Sequence, residues 1–517
     1  MLCGMLSRLL CAPGRLPAVL LACLLPLVCL LPLVCLLPLA GCGSEEPEAG
    51  LGTGVLVIAI DGLRADHLSC LGYDRETTPA LDSLAAQGTL FRSAWSNSPD
   101  LPGAHASLLT GTDSRLSHRE LERTDDRIAR LSEWSIPDEL PRLAREFVAN
   151  RYTTAAFVDH PGLSQAYGFG SGFQEFHSFS PDPLVDSSIG YEGVARRLFA
   201  WLQDRSPGEN WFAYVHVNDL ERLWERGGTE ARWDSFFEPR AALDAVPPVA
   251  GGERSYFAIP RTRWRGAAHT LGQYEALYDG ALRRLDTKFG LLFDELRKRG
   301  RLRNTTVAVI GTYGTGFGDA GLYLDSGTLS DCDLHVPLII RPAPMLRCPQ
   351  GQRTLATASG VDLAPTLLEI CGLSVPQGMS GRSQLRVVRG ESQAEREFAF
   401  ASGGLASGFA VFDSQHCFED SRPGASGTAR LQRSWSGDTH EPERRLHLHD
   451  RSADPRQGHL WAGAQDEPRA LVMQQAGTEW YASVELARDV LQGRRQLEDL
   501  RPEERAQMAM LRLIPAR

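Results

Sequence analysis

Acidic and imidazole side chains stand at the ends of apolar runs in this chain. Asp61 follows VLVIAI (Val55–Ile60), and His216 ends WFAYVH (Trp211–His216). A continuous apolar run indicates a strand that is buried on both faces of a parallel sheet. The carboxyl ends of such strands share one edge, which is where open α/β sheets bind ligands. A carboxylate and imidazoles gathered there could line a pocket.

Two more histidines are candidates for the same edge. His105 lies in HASLLTG, a short predicted helix whose amino end is expected to face Asp61, and His160 follows the apolar run TTAAFV. A simpler interpretation stays open for each, because a histidine at a strand end is commonly a hydrogen-bonded structural residue. Asp61 has a similar alternative role as the cap of the neighbouring turn.

Strands and helices alternate along residues 52–395, which predicts an α/β domain with a mostly parallel central sheet flanked by helices. One predicted helix starts at Pro79. The others cover Asp138–Asn150, Gly193–Gln203, Leu271–Arg299, Asp362–Cys371 and Glu479–Leu491. Residues 220–266 are predicted to be a loop-rich insertion over the carboxyl edge of the sheet. Short strands and Gly/Ser-rich turns predict a small antiparallel C-terminal subdomain over 396–517, with terminal helices.

Several sequence words carry a resemblance to a known family. VLVIAIDGLRADHLSCLGY, TTPALDSLAAQGTLF and HASLLTG occur in this order between Val55 and Gly111. They resemble the sulfatases of the alkaline-phosphatase superfamily, and so do SGVDLAPTLLEICGLSVPQGMSGRSQL and LHLHDRSADPRQGHL further along. The resemblance runs from about residue 52 to the end, except 220–266 and 413–440. It implies an alkaline-phosphatase-like sandwich and, in active members, hydrolysis of sulfuric or phosphoric esters.

The resemblance places the nucleophile of such hydrolysis at Leu101. Relatives carry Cys, Ser or Thr there, and alignment on HASLLTG puts a leucine in this chain. Leucine has no lone pair with which to attack an ester. A shifted register would offer Ser98 or Asp100 instead, although Pro99 and Pro102 fit the register that gives Leu101.

The resemblance also implies a divalent cation held by two pairs of side chains. The first pair falls on Asp61-Gly62, and the second falls on Gly314-Thr315. Hard divalent cations prefer about six oxygen ligands, including carboxylates that offset desolvation. We therefore expect no metal or other cofactor, with calcium, magnesium or zinc bound only if other residues replace these ligands. Asp319 is a candidate replacement, although aspartate is common in loops.

Positive side chains for an anionic ester are missing from the family positions. Asp325-Ser326 stands where relatives have His-Lys, and Glu221 lies in another family word that this chain only partly keeps. The two lysines of the chain, Lys288 and Lys298, belong to the long predicted helix, which is expected to keep them far from the strand ends. Acidic groups in place of cations would repel an anionic ester.

Residues 1–41 are typical of an export signal. Two arginines precede three near-copies of CLLPLV, and the segment closes on LAGC (Leu39–Cys42), which resembles the bacterial lipobox. The alternative is a membrane-spanning anchor, since the run is long enough, but its regularly spaced prolines break helices. We expect lipidation of Cys42, a polar tether over 42–51, and anchoring to a bacterial envelope membrane.

Charge and cysteine content exclude some classes of function. Acidic residues outnumber basic ones by 64 to 54, so no nucleic-acid partner is indicated. The cysteines after Cys42 have no metal-type spacing; they are Cys70, Cys332, Cys348, Cys371 and Cys417. Export permits a disulfide, and Cys332–Cys348 is a candidate pair that the sequence leaves open.

We therefore predict a sulfatase-like envelope lipoprotein that is a pseudoenzyme and acts by binding. Its ligand would be an anionic glycan, a sulfated or phosphorylated headgroup, or a protein partner at the mouth of the cleft. The alternative is an active metal-dependent sulfuric or phosphoric ester hydrolase with relocated site residues around Asp61. A third interpretation is an envelope scaffold, which an insertion filling the cleft would favour.

Overall fold

The central strand of the protein is β1 (Gly54–Ile60), which is buried on both faces. Alternate side chains enter two hydrophobic clusters, with Val55, Val57 and Ala59 in one and Leu56, Ile58 and Ile60 in the other. The period of two along an extended chain produces this division. The strand therefore separates two apolar layers, as its continuous apolar sequence predicts.

The computed structural model describes residues 52–117, 135–178, 190–224, 236–240, 249–250, 259–260, 263–264, 270–319, 322–403, 406–423, 445–451 and 467–512. These residues belong to one compact unit. The predicted signal, lipobox and tether lie outside the described residues. Within the described ranges, no helix combines the length and the apolar character needed to cross a membrane.

Eight strands form the central sheet. Besides β1 they are β2 (Thr89–Trp95), β3 (Thr153–Phe157), β4 (Glu175–His177), β5 (Trp211–Val217), β8 (Thr305–Gly311), β9 (Leu338–Arg341) and β10 (Gln352–Ser359). Their order is β10-β2-β9-β8-β1-β5-β3-β4. Every pairing is parallel except those of β9, which runs antiparallel to β2 and β8. The carboxyl ends of β1, β5 and β8 therefore meet at one edge. Two short strands, β6 (Val249–Ala250) and β7 (Ile259–Pro260), pair within residues 220–266. Most of that segment lies outside the described residues, so its interpretation as a loop-rich insertion stays a prediction.

Helices cover both faces of this sheet. They are α1 (Pro79–Ala85), α2 (Leu101–Thr110), α3 (Leu143–Ala149), α4 (Tyr191–Gln203), α5 (Asp219–Arg222), α6 (Leu271–Lys298), α7 (Asp331–Leu334), α8 (Leu363–Ile370), α9 (Leu385–Val388), α10 (Pro468–Leu491) and α11 (Pro502–Met510). Helices α1, α4 and α6 pack on one face, and α2, α3 and α8 pack on the other. The longest, α6, begins with a capping box between Thr270 and Gln273, which satisfies its first free N–H groups.

A second sheet follows the α/β core. Its strands β11 (Ala399–Ser402), β12 (Ala406–Phe412), β13 (His416–Pro423) and β14 (Arg445–Asp450) pair antiparallel in sequence order. Trp95 from β2 stacks on Phe412 from β12, with ring centroids 4.0 Å apart. The guanidinium group of Arg451 also lies over the Trp95 ring, 4.6 Å from its centroid. These rings join the second sheet to the first.

The predicted fold class is confirmed, since the central sheet is mostly parallel and a separate antiparallel sheet follows it. Two helix starts differ from the prediction by more than two residues. Helix α3 begins at Leu143 and not at Asp138, because Pro141 cannot donate a helical hydrogen bond and restricts the residue before it. Helix α10 begins at Pro468 and not at Glu479, because a proline is well suited to the first helical position.

The candidate disulfide is absent from the structure. Cys332 and Cys348 are both free, and Cys332 is buried. Cys332 Sγ instead lies 3.1 Å from the hydroxyl oxygen of Ser330. The division of the chain at residues 395 and 396 stays a prediction, with the antiparallel sheet starting at Ala399.

Replacing the ring that joins the two sheets should destabilise the whole unit. Phe412→Ala is expected to lower the free energy of unfolding by about 3–5 kcal/mol, because it opens a cavity against Trp95. Guanidinium denaturation followed by tryptophan fluorescence measures this. The matched control is Leu355→Ala, whose side chain is 57% exposed, and it should change stability by about 0.5 kcal/mol or less. Equal effects of the two changes would contradict the docking of the sheets.

Candidate functional site

Asp61 is the first residue after β1 and lies at the carboxyl edge of the central sheet. Its backbone N–H donates to the carbonyl of Val217, at the end of β5, over 3.0 Å. Its side chain is fully buried. An ionised carboxylate is costly to bury unless donors replace its water, so the neighbours of Asp61 decide its state.

Three donors surround this carboxylate. His105 Nε2 lies 2.9 Å from Oδ1, and His216 Nε2 lies 2.7 Å from Oδ2. The Thr312 hydroxyl donates to Oδ1 over 2.5 Å. Burial acts to raise the pKa of Asp61, but His216 and His105 outweigh burial and leave this pKa below that of an ordinary aspartate. Asp61 is therefore ionised at neutral pH.

The second ring nitrogen of each histidine decides where its proton lies. Nδ1 of His216 accepts the backbone N–H of Asp159 over 3.0 Å, so the His216 proton is on Nε2 and faces Asp61. Nδ1 of His105 lies 2.6 Å from the Tyr214 hydroxyl oxygen. Burial raises the pKa of Tyr214 and lowers the pKa of His105, so the phenol donates its proton to a neutral ring. Both imidazoles therefore donate Nε2–H to the carboxylate.

This proton arrangement does not suit a metal ion. Ligand atoms of Asp61, His105 and His216 do lie within 4.8 Å of one another, as a metal site requires. A ligating imidazole, however, offers the lone pair of one nitrogen and donates N–H from the other. His216 shows the reverse, because its Nδ1 accepts a backbone N–H. Metal binding through Nε2 would turn two N–H groups toward each other.

A side chain at either of the two family glycine positions would require its neighbours to move. A Cβ at Gly62 would lie 2.9 Å from Glu221 Oε1, and Gly62 has a φ of +68° that favours glycine. A Cβ at Gly314 would lie 1.9 Å from the carbonyl oxygen of Cys332. Thr315 donates its hydroxyl to Glu221 Oε1 over 2.9 Å. The residues of this chain therefore do not fit the divalent cation that the resemblance implies.

Asp319, the other candidate metal ligand, lies further along the segment that contains Gly314 and Thr315. Its Oδ2 accepts Nη1–H of Arg64 over 2.5 Å and the backbone N–H of Phe317 over 2.9 Å. Arg64 is buried and also binds Asp66, so its charge is balanced within this loop. The structure thus gives Asp319 a role in holding the loop.

Leu101 is the first residue of α2. Asp100 is the N-cap, and its carboxylate accepts the N–H of Gly103 over 2.8 Å. Residues four apart share a helix face, so Leu101 lies one turn before His105 on the face that reaches Asp61. Its side chain is half-buried and packs against the hydrophobic cluster beneath. An alkyl group therefore stands where the resemblance expects a nucleophile.

The two alternative nucleophiles turn toward the second sheet. Ser98 is buried, and Asp100 caps the helix. A Cβ at Gly403, just after β11, would lie 3.1 Å from both Ser98 Oγ and Asp100 Oδ2. These side chains therefore face the end of β11.

His160 lies next to Leu101. A Cβ at Gly162 would lie 2.9 Å from His160 Nδ1 and 3.4 Å from Leu101 Cδ2. The N–H of Gly162 donates to Nδ1 over 3.0 Å, so the proton of a neutral His160 is on Nε2. Burial lowers the pKa of His160 to about 4, which keeps the ring uncharged at neutral pH.

Glu221 and Asp325 lie beside Asp61 and its two histidines, together with Arg263 from residues 220–266. Arg263 Nη1 lies 3.8 Å from Glu221 Oε2, and Nη2 lies 3.4 Å from Asp325 Oδ1. Burial raises the pKa of Glu221 to about 7, although Arg263 opposes this shift. The expectation of uncompensated negative charge here is therefore incomplete, because folding brings in a cation from a distant segment.

Lys288 comes nearer to a strand end than the sequence predicts. Its ammonium group pairs with Glu192 and lies 3.8 Å from Asp219, two residues after β5. A long aliphatic stem lets a helical lysine reach past its own element, which sequence position alone does not reveal. The pairing holds Lys288 at α4 and α5.

Sequence reasoning missed three partners of the site. Tyr214 alternates with His216 along β5, so a polar residue two positions away in an apolar strand was the available signal. Thr312 follows β8 directly, as Asp61 follows β1. Arg263 gave no signal, because it lies in the insertion, which the resemblance does not cover.

The buried carboxyl group of Glu221 should make stability depend on pH. Its folded pKa of about 7 lies above the ordinary 4.5, so the folded state binds this proton more tightly and stability falls as pH rises between these values. The contribution of Glu221 to the free energy of unfolding falls by about 3 kcal/mol over this range, and this contribution should vanish in Glu221→Gln. Denaturant unfolding at both ends of this range measures it. Glu139→Gln, at an exposed position, is the control and should keep the wild-type dependence of the free energy of unfolding on pH. An unchanged dependence in Glu221→Gln would contradict the raised pKa of Glu221.

Comparisons with known proteins agree with this geometry at the level of the fold. The solved structure of a phosphonate monoester hydrolase of Agrobacterium radiobacter matches with a TM-score of 0.62 and 18% identity, covering 84% of this chain and 96% of that chain. A solved 2-O GAG sulfatase matches with a TM-score of 0.61 and 16% identity, covering 86% and 94%. At such identities the likeness shows the fold alone.

Sequence comparison extends this to the family. An arylsulfatase of Clostridium perfringens is 21% identical over 390 residues, which is 66% of this chain and 80% of the relative. An N-acetylglucosamine-6-O-sulfatase of Bacteroides thetaiotaomicron is 28% identical over 188 residues, which is 36% of this chain and 31% of the relative. The family model named Sulfatase matches residues 53–373, more than half of the chain. The chain therefore belongs to the sulfatase family of the alkaline-phosphatase superfamily.

Proposed function

We propose that this chain is an exported sulfatase-family protein that does not hydrolyse esters and acts by binding. The observation that carries the proposal is the state of Asp61, the one carboxylate at the family's metal positions. It is fully buried and accepts hydrogen bonds from His105, His216 and Thr312. Three of about four lone-pair directions are thereby used. Such a carboxylate has little left to offer a cation or a substrate.

The side chain at Leu101 supports the same proposal. Covalent ester hydrolysis needs an oxygen or sulfur nucleophile, and a metal ion supplies charge stabilisation to the transition state. An alkyl group at the start of α2 and the closed position at Gly314 remove both contributions. Preorganised charge is usually the largest catalytic contribution, so its loss is severe.

For the ligand we infer an anionic glycan, with a protein partner as the alternative. One relative is named N-acetylglucosamine-6-O-sulfatase, so its name refers to a sulfated sugar. The net charge of −10 opposes a long polyanion and favours a ligand with few anionic groups. His160 and Leu101 are both half-buried, so one polar and one apolar side chain are partly accessible to a ligand at this place.

The competing function is metal-dependent hydrolysis of sulfuric or phosphoric esters with relocated residues. One observation favours it: Glu221 Oε1 lies 2.9 Å from the position of a Cβ at Gly62, the second family ligand position. A carboxylate from α5 thus comes to the place of one that the sequence lacks. Calcium, magnesium or zinc would be the metal in that case.

Assays of turnover and metal content separate these two functions. The purified mature protein is expected to hydrolyse neither aryl sulfates nor aryl phosphates, and elemental analysis should find no stoichiometric calcium, magnesium or zinc. Leu101→Ser should stay inactive, because a hydroxyl without a metal is not activated. A catalytically active family member assayed in parallel is the positive control. Turnover by the wild type together with one bound metal ion would establish the competing function.

Export and lipid anchoring belong to the proposal through Cys42. Cys42→Ala is expected to move the protein from the membrane fraction to the soluble fraction of the envelope, because acyl chains provide the anchoring energy. Fractionation and immunoblotting measure this, with Cys70→Ala as the matched control, since Cys70 is a buried cysteine of the folded unit. Membrane retention of Cys42→Ala would refute lipid anchoring.

A further inference from the structure

Three carboxyl groups gather at the carboxyl edge of the sheet. Asp61 is buried there, and both Asp325 and Asp61 act electrostatically to disfavour ionisation of Glu221. Tyr313 is also buried, and burial together with the negative charge of these three groups raises the pKa of its phenol. Asp61 is compensated by imidazole and hydroxyl donors, so the remaining question is what balances Glu221 and Asp325.

Arg263 faces both of these residues. Its guanidinium nitrogens lie 3.8 Å from Glu221 Oε2 and 3.4 Å from Asp325 Oδ1, and Nη1 donates to the carbonyl of Leu324. The carboxyl side chains are 15% and 6% exposed, and that of Arg263 is 24% exposed. At such burial an ion pair is weakly screened, and removing one partner is strongly destabilising.

We propose that the Arg263 guanidinium replaces a divalent cation as the counter-charge of this carboxylate cluster. The chain thus supplies its own cation from the 220–266 insertion. A guanidinium keeps its proton in proteins, is weakly hydrated and can contact several oxygens in one plane, which suits a partly buried acidic cluster. Unlike a metal ion, it has no open coordination position for an ester oxygen.

A second arginine of the insertion provides a comparison. Arg240 pairs with Asp74 and, through Nε, with Glu275 Oε1 over 2.9 Å. Its partners lie near the start of α6, away from the Asp61 cluster. Arg240 and Arg263 both attach the insertion to the core through carboxylates, but only Arg263 serves the old metal position. Because Glu275 itself lies in an acidic cluster with Asp279, the control for Arg263→Ala is Arg396→Ala, which removes an arginine from the single buried carboxylate of Asp362.

The assignment of Arg263 as the cation beside Glu221 and Asp325 does not rest on the absence of hydrolysis. A protein with turnover could still carry this internal cation, and a protein without turnover could still bind a metal. Thermal unfolding with and without added cation tests the proposal, whereas turnover assays test the proposed function. Failure of one is therefore distinguishable from failure of the other.

The melting temperature of the full mature chain should not respond to millimolar calcium or magnesium in the wild type. Arg263→Ala is expected to melt several degrees lower, and calcium or magnesium should restore a large part of this loss, because a cation can then enter between Glu221 and Asp325. Arg396→Ala should also melt lower, but without recovery, because it leaves one carboxylate and not a cluster. Arg263→Lys keeps the positive charge and should respond to cations less than Arg263→Ala.

Two results would overturn the proposal. One is a wild-type melting temperature that rises with calcium or magnesium and saturates, since the position would then be open to a metal. The other is an Arg263→Ala protein that melts lower and gains nothing from either ion. If Arg263→Ala does not fold, the pair Glu221→Gln and Glu221→Gln/Arg263→Ala replaces it. The double variant should then fold, because the Glu221 carboxylate that lost its partner is gone, and a double variant that also fails to fold would refute the pairing.

Discussion

The protein depends on keeping one ionised carboxylate, that of Asp61, out of water. A buried carboxylate without donors costs more than a domain of ordinary stability can tolerate. Three elements meet this cost, since α2 supplies His105, β5 supplies His216 and the end of β8 supplies Thr312. The contact therefore ties a helix and three neighbouring strands to one point, and the edge of the sheet is organised around it.

The same constraint requires the charges at this edge of the sheet to be balanced. In a metal site, cation charge and carboxylates compensate one another, so losing the ligands leaves a charge imbalance. Here the imidazoles are held as Nε2–H donors by Asp159 and Tyr214, and Arg263 faces the acidic residues alongside. Hydrogen bonds within the chain stand where ion coordination would. The scaffold needs the charge balanced, whichever group provides it.

The backbone around Gly314 leaves no room for a side chain. A Cβ there would overlap the carbonyl oxygen of Cys332, so an aspartate requires the loop before α7 to move. At Gly62 the space is taken by Glu221, which is held by Thr315. An aspartate at either glycine would therefore require the neighbouring backbone or the Glu221 side chain to move.

The sequence by itself determined the layered fold, since apolar strand runs, caps and prolines act locally and set periodicity and element ends. It also determined that a leucine heads α2 and that Asp61, His105 and His216 share one sheet edge, because parallel strands end together. Only the tertiary structure decided the imidazole tautomers, which depend on a backbone N–H of another strand and on Tyr214. It alone brought Arg263 to the acidic cluster, because contacts between distant segments leave no local periodicity to detect.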